Sequence, residues 1–396
     1  MIRKITLSIA LLVFSCAAFT LPAGEDAAPK EENCLLLLSA PPGPVSQRTE
    51  MQNRLTEWHD RVAKMLKSED EMKKDDVPAE ARKWMELMYT DGLELSRPKP
   101  LVCLWDNRGE KKQNLRVEIA EDRDFRTGVM SFHPEKGQNS VEVHSMKAGR
   151  KYYLRLRWTE DQAGRCSQTV TFSTAPECPR WIRVDGVSNV RDFGGWKTVS
   201  GKRVRQGLLI RGEQINGPRP PTAAGVEMLL DNLKVKTDID LRGVPRANRP
   251  YNGMPALPED RVKHHRFSLA GYTGAFIPKQ RALYRDVFRL LVQPGVLPAY
   301  IHCVGGADRT GTVVFLLQGV LKVPEEEMIR DYELTSMFSR HRGNRYRGRK
   351  AFMAFRQQLR EQTGETDLHK QCEKYFLDCG VTADEIAAFR KIFLED

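Results

Sequence analysis

Ten consecutive residues concentrate the reactive chemistry of this chain: His302-Cys303-Val304-Gly305-Gly306-Ala307-Asp308-Arg309-Thr310-Gly311. A thiol and a guanidinium six positions apart, with two glycines between them, suit nucleophilic attack on a phosphate ester. The thiolate is the nucleophile, and its pKa falls below the free value of about 8.5 beside N–H donors, a cation or a helix N-terminus. Arg309 offers a planar fork that binds two phosphoryl oxygens at once. Gly305 and Gly306 let the backbone approach the anion closely. The amides from Val304 through Ala307 to Arg309 would then stabilise its equatorial oxygens. Thr310 could hydrogen-bond the thiolate, and His302 could orient the loop. Asp308 is the first candidate for the general acid, with Asp240 second. A loop-stabilising carboxylate is the competing reading of Asp308.

Such a loop needs a strand before it and a helix after it, so that successive N–H groups and the helix dipole converge on one concavity. Both are legible. Residues 299–302 read as a short buried strand, and residues 310–321 as a nearly all-apolar, hence central, helix. Upstream, 223–233 and 281–291 carry helical spacing and 235–241 reads as a strand. This alternation predicts an α/β domain with a mostly parallel central sheet flanked by helices. The N-terminal half reads differently. Cys34 to Leu38 suggests a strand, residues 46–67 and 78–89 suggest helices, and short runs at 101–105, 115–120, 140–143, 152–158 and 168–173 suggest an antiparallel β-sandwich. The expected organisation is a signal peptide at 1–23, a flexible stretch at 24–33, a β-sandwich at 34–175 with a helical insertion at about 46–90, a linker at 176–180 and a catalytic domain at 181–396.

The Cys-x5-Arg loop resembles the signature loop of the protein tyrosine phosphatase superfamily. Its His-Cys-x-x-Gly-x-Asp-Arg-Thr-Gly form is similar to the bacterial tyrosine/lipid phosphatase subfamily. Four further stretches agree: Asn189-Val190-Arg191-Asp192-Phe193-Gly194-Gly195, Leu208-Leu209-Ile210-Arg211-Gly212, Asp238-Ile239-Asp240-Leu241-Arg242, and Val323-Pro324-Glu325 with Asp331-Tyr332. The resemblance spans residues 181–396. It implies a cysteinyl-phosphate intermediate, Asp308 as an acid inside the loop, and no cofactor or metal. Arg191 and Arg242 become candidates for substrate contact, with structural ion pairs as the alternative for each. Ala307 stands where the subfamily usually has Lys, which moves the expected substrate from polyanionic lipids toward protein phosphotyrosine. Dual-specificity or phosphoinositide hydrolysis, and a non-catalytic phosphate-binding role, stay open. In the N-terminal half, Arg116 to Ala120 with Asp122 and Phe125, then Ala148 to Arg157, then Thr171 to Thr174 resemble a bacterial fibronectin type III domain, whose partner the residues do not name.

The chain has 396 residues and a formal net charge of +11. Such a balance favours acidic partners, whether phosphorylated proteins, small phosphomonoesters or an anionic membrane surface. No base-reading motif and no basic run interleaved with aromatics points to nucleic acid. Arg3 and Lys4, the apolar run from Ile5 to Phe19 and the small residues after it read as a secretory signal cleaved after Ala23 or Ala18. Export to the periplasm, cell surface or medium follows as an expectation, with lipid attachment at Cys16 as a variant of it. Export would permit disulfides. Cys166/Cys178 and Cys372/Cys379 are the nearest pairs in sequence, leaving Cys34/Cys103. There is no C-x-x-C and no His-rich ligand cluster, so zinc is not expected.

Overall fold

A computed structural model describes residues 36–37, 41, 43–65, 95–106, 113–160, 162–245, 247–248, 250, 253–338, 347 and 349–395. The expected signal peptide, the flexible stretch after it and the helix at 78–89 lie outside the described residues.

The N-terminal half is built of antiparallel sheets. Strand β1 (Leu36–Leu37) and helix α1 (Glu50–Met65) precede β2 (Leu101–Asp106), β3 (Gln113–Ala120), β4 (Met130–Phe132), β5 (Ser140–Val143), β6 (Lys151–Glu160), β7 (Ala163–Cys166) and β8 (Val170–Ser173). One sheet runs β1-β2-β5 and the other β4-β3-β6-β7, with β8 also on β6. Alternation drives the burial: Val117 and Ile119 of β3 and Tyr152, Leu154 and Leu156 of β6 turn inward. Helix α1 leans on the C-terminal half rather than on these sheets. Its Met51 packs into the C-terminal core, and its Asp60 lies 2.6 Å from Arg330.

The C-terminal half is a five-stranded sheet with helices. Its strands are β9 (Arg191–Asp192), β10 (Leu209–Gly212), β11 (Thr237–Asp240), β12 (Lys263–Arg266) and β13 (Ala299–His302), in the order β12-β11-β13-β10-β9. All pairings are parallel except that of the edge strand β9. The helices are α2 (Ala223–Glu227), which continues as a π-helical turn over Met228–Asn232, then α3 (Pro278–Leu291), α4 (Asp308–Val320), α5 (Glu325–Leu334), α6 (Lys350–Thr363), α7 (Leu368–Asp378) and α8 (Ala383–Phe393). Helix α4 is buried on every side from Thr310 to Val320, as its apolar sequence requires. Local chemistry sets several ends: Asp367 caps α7, a Thr382/Glu385 capping box opens α8, and Gly364 at φ +69° closes α6.

The two halves share a hydrophobic cluster. Residues of β3 and β6 pack in one continuous group with Ile210 of β10, Tyr300 of β13 and Leu229 and Leu230 of the π-helical turn. Across this seam the Gln206 amide closes a two-way pair with Ala148, accepting from its N–H at 2.9 Å and donating to its carbonyl at 3.0 Å.

Among the described residues none of the expected disulfides is formed. Cys103, Cys166, Cys178, Cys303, Cys372 and Cys379 are all free thiols, and Cys34 lies outside the described residues. Cys372 sits within α7 and Cys379 is its C-cap residue. Seven helical steps separate them by about 10 Å, beyond the roughly 7 Å limit between bridged Cα atoms. Cys372 instead packs against Gly319 of α4, where any side chain would collide with its sulfur. Cys166 is exposed at the end of β7, while Cys178 sits near Gly195 and 4.0 Å from Arg203 Nη1.

Candidate active site

Strand β13 delivers Cys303 to the floor of the loop, where it is 2% exposed, and Asp308 begins α4. The loop is turned inside out by its neighbours. Gln214 N–H donates to the Val304 carbonyl (3.1 Å), Asn189 Nδ2 to that of Gly305 (2.9 Å) and Arg211 Nη2 to that of Gly306 (2.7 Å). With three successive carbonyls tied from outside, the amides face the opposite way. None of the N–H groups of Val304, Gly305, Gly306 or Ala307 meets an acceptor among the described residues. That is the arrangement an anion-binding nest requires. Gly306 has φ +64°, and a Cβ there would overlap the Gly212 carbonyl, so only glycine fits. Ala307 is 2% exposed. Its side chain therefore faces protein.

Burial alone would push the Cys303 thiol up. The Arg309 charge and the Thr310 side chain and backbone outweigh it, and the thiol lies below its ordinary value; the Asp308 charge opposes them weakly. The Thr310 hydroxyl is buried and has no partner within hydrogen-bonding geometry among the described residues, so it adds to the depression of the thiol as a nearby dipole. Arg309 is half-buried and donates only to the Leu241 carbonyl, at 3.4 Å. No carboxylate neutralises it among the described residues, so its fork is available to an anion.

Behind the loop, His302 is fully buried. Its Nδ1 lies 3.0 Å from the Cys303 carbonyl and its Nε2 3.0 Å from Asp238 Oδ1. The other oxygen of Asp238 lies 3.0 Å from His264 Nδ1. Burial works against the Asp238 charge, but His302 and His264 outweigh it and hold the carboxyl down to about 2. Burial likewise opposes charge on His302, and Asp238 and Asp240 reverse it, so His302 is raised.

Three expected site residues take other places. Arg191 is 0% exposed, and every guanidinium nitrogen is committed: Nε to Asp331 Oδ1 (2.7 Å), Nη1 to Asn189, Nη2 to the Asp331 carbonyl and Thr335. Arg242 is equally buried and is consumed by Asp240, Gln214 and Asn216. With their guanidinium nitrogens engaged inside the protein, both fit the structural ion-pair alternative better than substrate contact. Asp240, the alternative acid, accepts from Arg242 on both oxygens and from the Gly253 N–H at 2.9 Å. Burial raises it, but these donors win and it is lowered, which makes it an ionised brace rather than a proton source. Asp308 remains at the mouth with its side chain 44% exposed and Arg349 Nη1 3.4 Å from Oδ1.

The sequence reading missed a relay. Asp331 of α5 bridges Arg191 and Arg211, and Arg211 passes the constraint to the Gly306 carbonyl. Arg211 and Asp331 were visible only as marks of resemblance; their contacts span 120 residues of chain.

Residues 182–395, more than half of the chain, match the tyrosine phosphatase family. The chain belongs to that family. It is similar to a protein of Cupriavidus necator named as a tyrosine-protein phosphatase, with 27% identity over 175 residues, 38% of this chain and 61% of the relative. The match therefore spans less than two thirds of that relative's length. Among solved structures, the core catalytic domain of the PP-IP phosphatase SIW14 of S. cerevisiae in complex with citrate aligns with 40% of this chain and 93% of its own, at 15% identity and a TM-score of 0.26. A likeness of that size carries no argument about substrate.

Proposed function

We propose that the chain hydrolyses phosphate monoesters through a cysteinyl phosphate at Cys303, with protein phosphotyrosine as the substrate. The observation that carries this is the depressed Cys303 thiol at the floor of a loop whose amides are turned inward and whose free cation is Arg309. The sulfur attacks phosphorus, an S–P bond forms and the P–O bond to the leaving group breaks. Asp308 gives its proton to the leaving oxygen. The resulting carboxylate takes a proton from water as that water attacks phosphorus, and the S–P bond breaks to regenerate the thiolate and release phosphate. Arg309 and the amides hold the equatorial oxygens throughout. Neutral, buried Ala307 supports a substrate with a single phosphate over a polyanionic headgroup.

The test is a panel of phosphotyrosine peptide, phosphoserine peptide and phosphoinositide, with rapid acid quenching of labelled substrate. Phosphotyrosine turnover, a trapped protein-bound phosphate and loss of both in Cys303→Ser support the proposal. Equal turnover by Cys303→Ser overturns it, and preference for the phosphoinositide overturns the substrate.

The basic, apolar and small residues of the first 23 positions support export, and the motif pattern of the N-terminal sheets supports a fibronectin type III-like module there. A mature N-terminus at Gly24 or Phe19 in an exported fraction supports the first. Recovery of an intact Met1 from the cytosol counts against it.

A further inference from the structure

The segment after β12 contains no carboxylate, yet it lies against the loop. At Gly271 an added Cβ would meet Arg309 N and the Asp308 carbonyl carbon at 3.1 Å. Next to it, Tyr272 N–H donates to Thr312 Oγ1 (2.8 Å), which itself donates to the Asp308 carbonyl (2.8 Å). Tyr272 is thereby pinned over the first turn of α4, with a left-handed φ of +54°.

A second element arrives from far along the chain. Arg349, the N-cap residue of α6, places Nη1 3.0 Å from the Tyr272 hydroxyl and 3.4 Å from Asp308 Oδ1, with its guanidinium 5.6 Å from the Tyr272 ring centre. The Tyr272 hydroxyl also lies 3.3 Å from that of Tyr332, and the Tyr332 ring stacks on Phe352 of α6 at 4.2 Å. Two segments 77 residues apart thus converge on one half-exposed carboxyl group.

We propose that Arg349 and Tyr272 are positioning residues for the proton transfer by Asp308. This rests on the reading of Asp308 as the acid. Unaided, a carboxyl on the first residue of a helix swings through several rotamers, whereas proton transfer needs the donor within about 2.6–3.2 Å of the leaving oxygen. Arg349 engages Oδ1 and so turns Oδ2 to the phosphate side. The proton moves from Oδ2 to the leaving oxygen as the P–O bond breaks, and Arg349 keeps its charge and its protons. Tyr272 holds Arg349 by its hydroxyl and ring face, which fixes the angle of approach.

Leaving-group dependence tests this on the full chain. Phenyl phosphate needs its leaving oxygen protonated far more than p-nitrophenyl phosphate does, so the ratio of kcat on the first to kcat on the second reports the acid step. In Asp308→Asn that ratio is expected to fall by about 100-fold or more. For Arg349→Met a fall of about 10-fold is expected, from a misplaced rather than missing acid. Arg349→Lys should restore most of it, and Tyr272→Phe should lower it a few-fold. An unchanged ratio in both Arg349→Met and Tyr272→Phe, while Asp308→Asn shows its fall, overturns the positioning role alone. An unchanged ratio in Asp308→Asn overturns the acid reading and the inference with it. If Arg349→Met does not fold, Tyr272→Phe, which removes one oxygen, decides the matter by the same ratio.

Discussion

Two sets of arginines surround the phosphate loop, and they differ in what holds them. Behind it, Arg191, Arg211 and Arg242 are at most 1% exposed and end on carboxylates, carbonyls or amide oxygens of the protein. In front of it, Arg309 is half-buried and meets only a distant carbonyl. Residue type is the same on both sides; the presence of a buried carboxylate partner decides which arginine is structure and which is available to an anion. The contrast also separates two costs. Removing a buried partner strands a charge, whereas on the proposed function removing the front arginine is expected to leave the fold alone and to remove transition-state charge stabilisation.

That contrast can be broken most directly at Arg211. Arg211→Met leaves Asp331 half-paired in the interior and frees the Gly306 carbonyl; a loss of about 3–5 kcal/mol is expected in urea unfolding, a large share of a typical margin of about 5–15 kcal/mol. An unchanged midpoint with lost activity would place Arg211 with the front set. Arg309→Met should do the reverse, lowering kcat by about 100- to 1000-fold with thermal unfolding near that of the wild type. A variant that loses activity only because it melts would erase the distinction.

The rear set should also carry the acid sensitivity of the fold. The Asp238 carboxyl is depressed to about 2 by His302 and His264. Its contribution is fully present above its unfolded value near 3.9 and is lost as pH falls toward about 2, amounting to about 2 kcal/mol. His302, being raised, contributes in the opposite sense: fully below its unfolded value and decreasingly as pH rises through its folded one. Urea midpoints measured against pH should therefore show an acid limb that Asp238→Asn flattens; an unaltered limb would place the sensitivity elsewhere. The front, by contrast, should carry the pH dependence of reactivity. Alkylation of Cys303 by iodoacetamide should have its midpoint below the free-thiol value of about 8.5. Thr310→Ala, which removes a hydroxyl dipole beside the thiolate, should move that midpoint upward. A midpoint that does not move would assign the depression to Arg309 and the amides.

What the sequence made legible is what lies close together in it. Cys303, the glycines and Arg309 share one loop, and the strand before and helix after it betray themselves by unbroken apolar runs; β13 falls at the predicted residues and α4 starts two residues earlier. The partners of Arg191 and Arg242 were not legible, because 140 residues separate Arg191 from Asp331 and the Gln214 and Asn216 acceptors of Arg242 come from a loop with no periodicity. The edge strands β4 and β7 are three and four residues long, too short to show alternation. The Cys372/Cys379 pairing failed because nearness in sequence along a helix is distance along its axis.

The amide pair between Gln206 and Ala148, set in the hydrophobic seam of the two halves, bears on how this protein can be cut. The family match begins at residue 182, and that boundary invites expression of the matched piece alone. Cutting there would remove the β3 and β6 members of the hydrophobic cluster to which Ile210, Leu229, Leu230 and Tyr300 belong. The fragment would carry every residue of the phosphate loop together with a raw apolar flank, and it should precipitate or self-associate where the longer chain stays dispersed. Homology marks the ancestry of the C-terminal half; the unit that folds is expected to begin well before it.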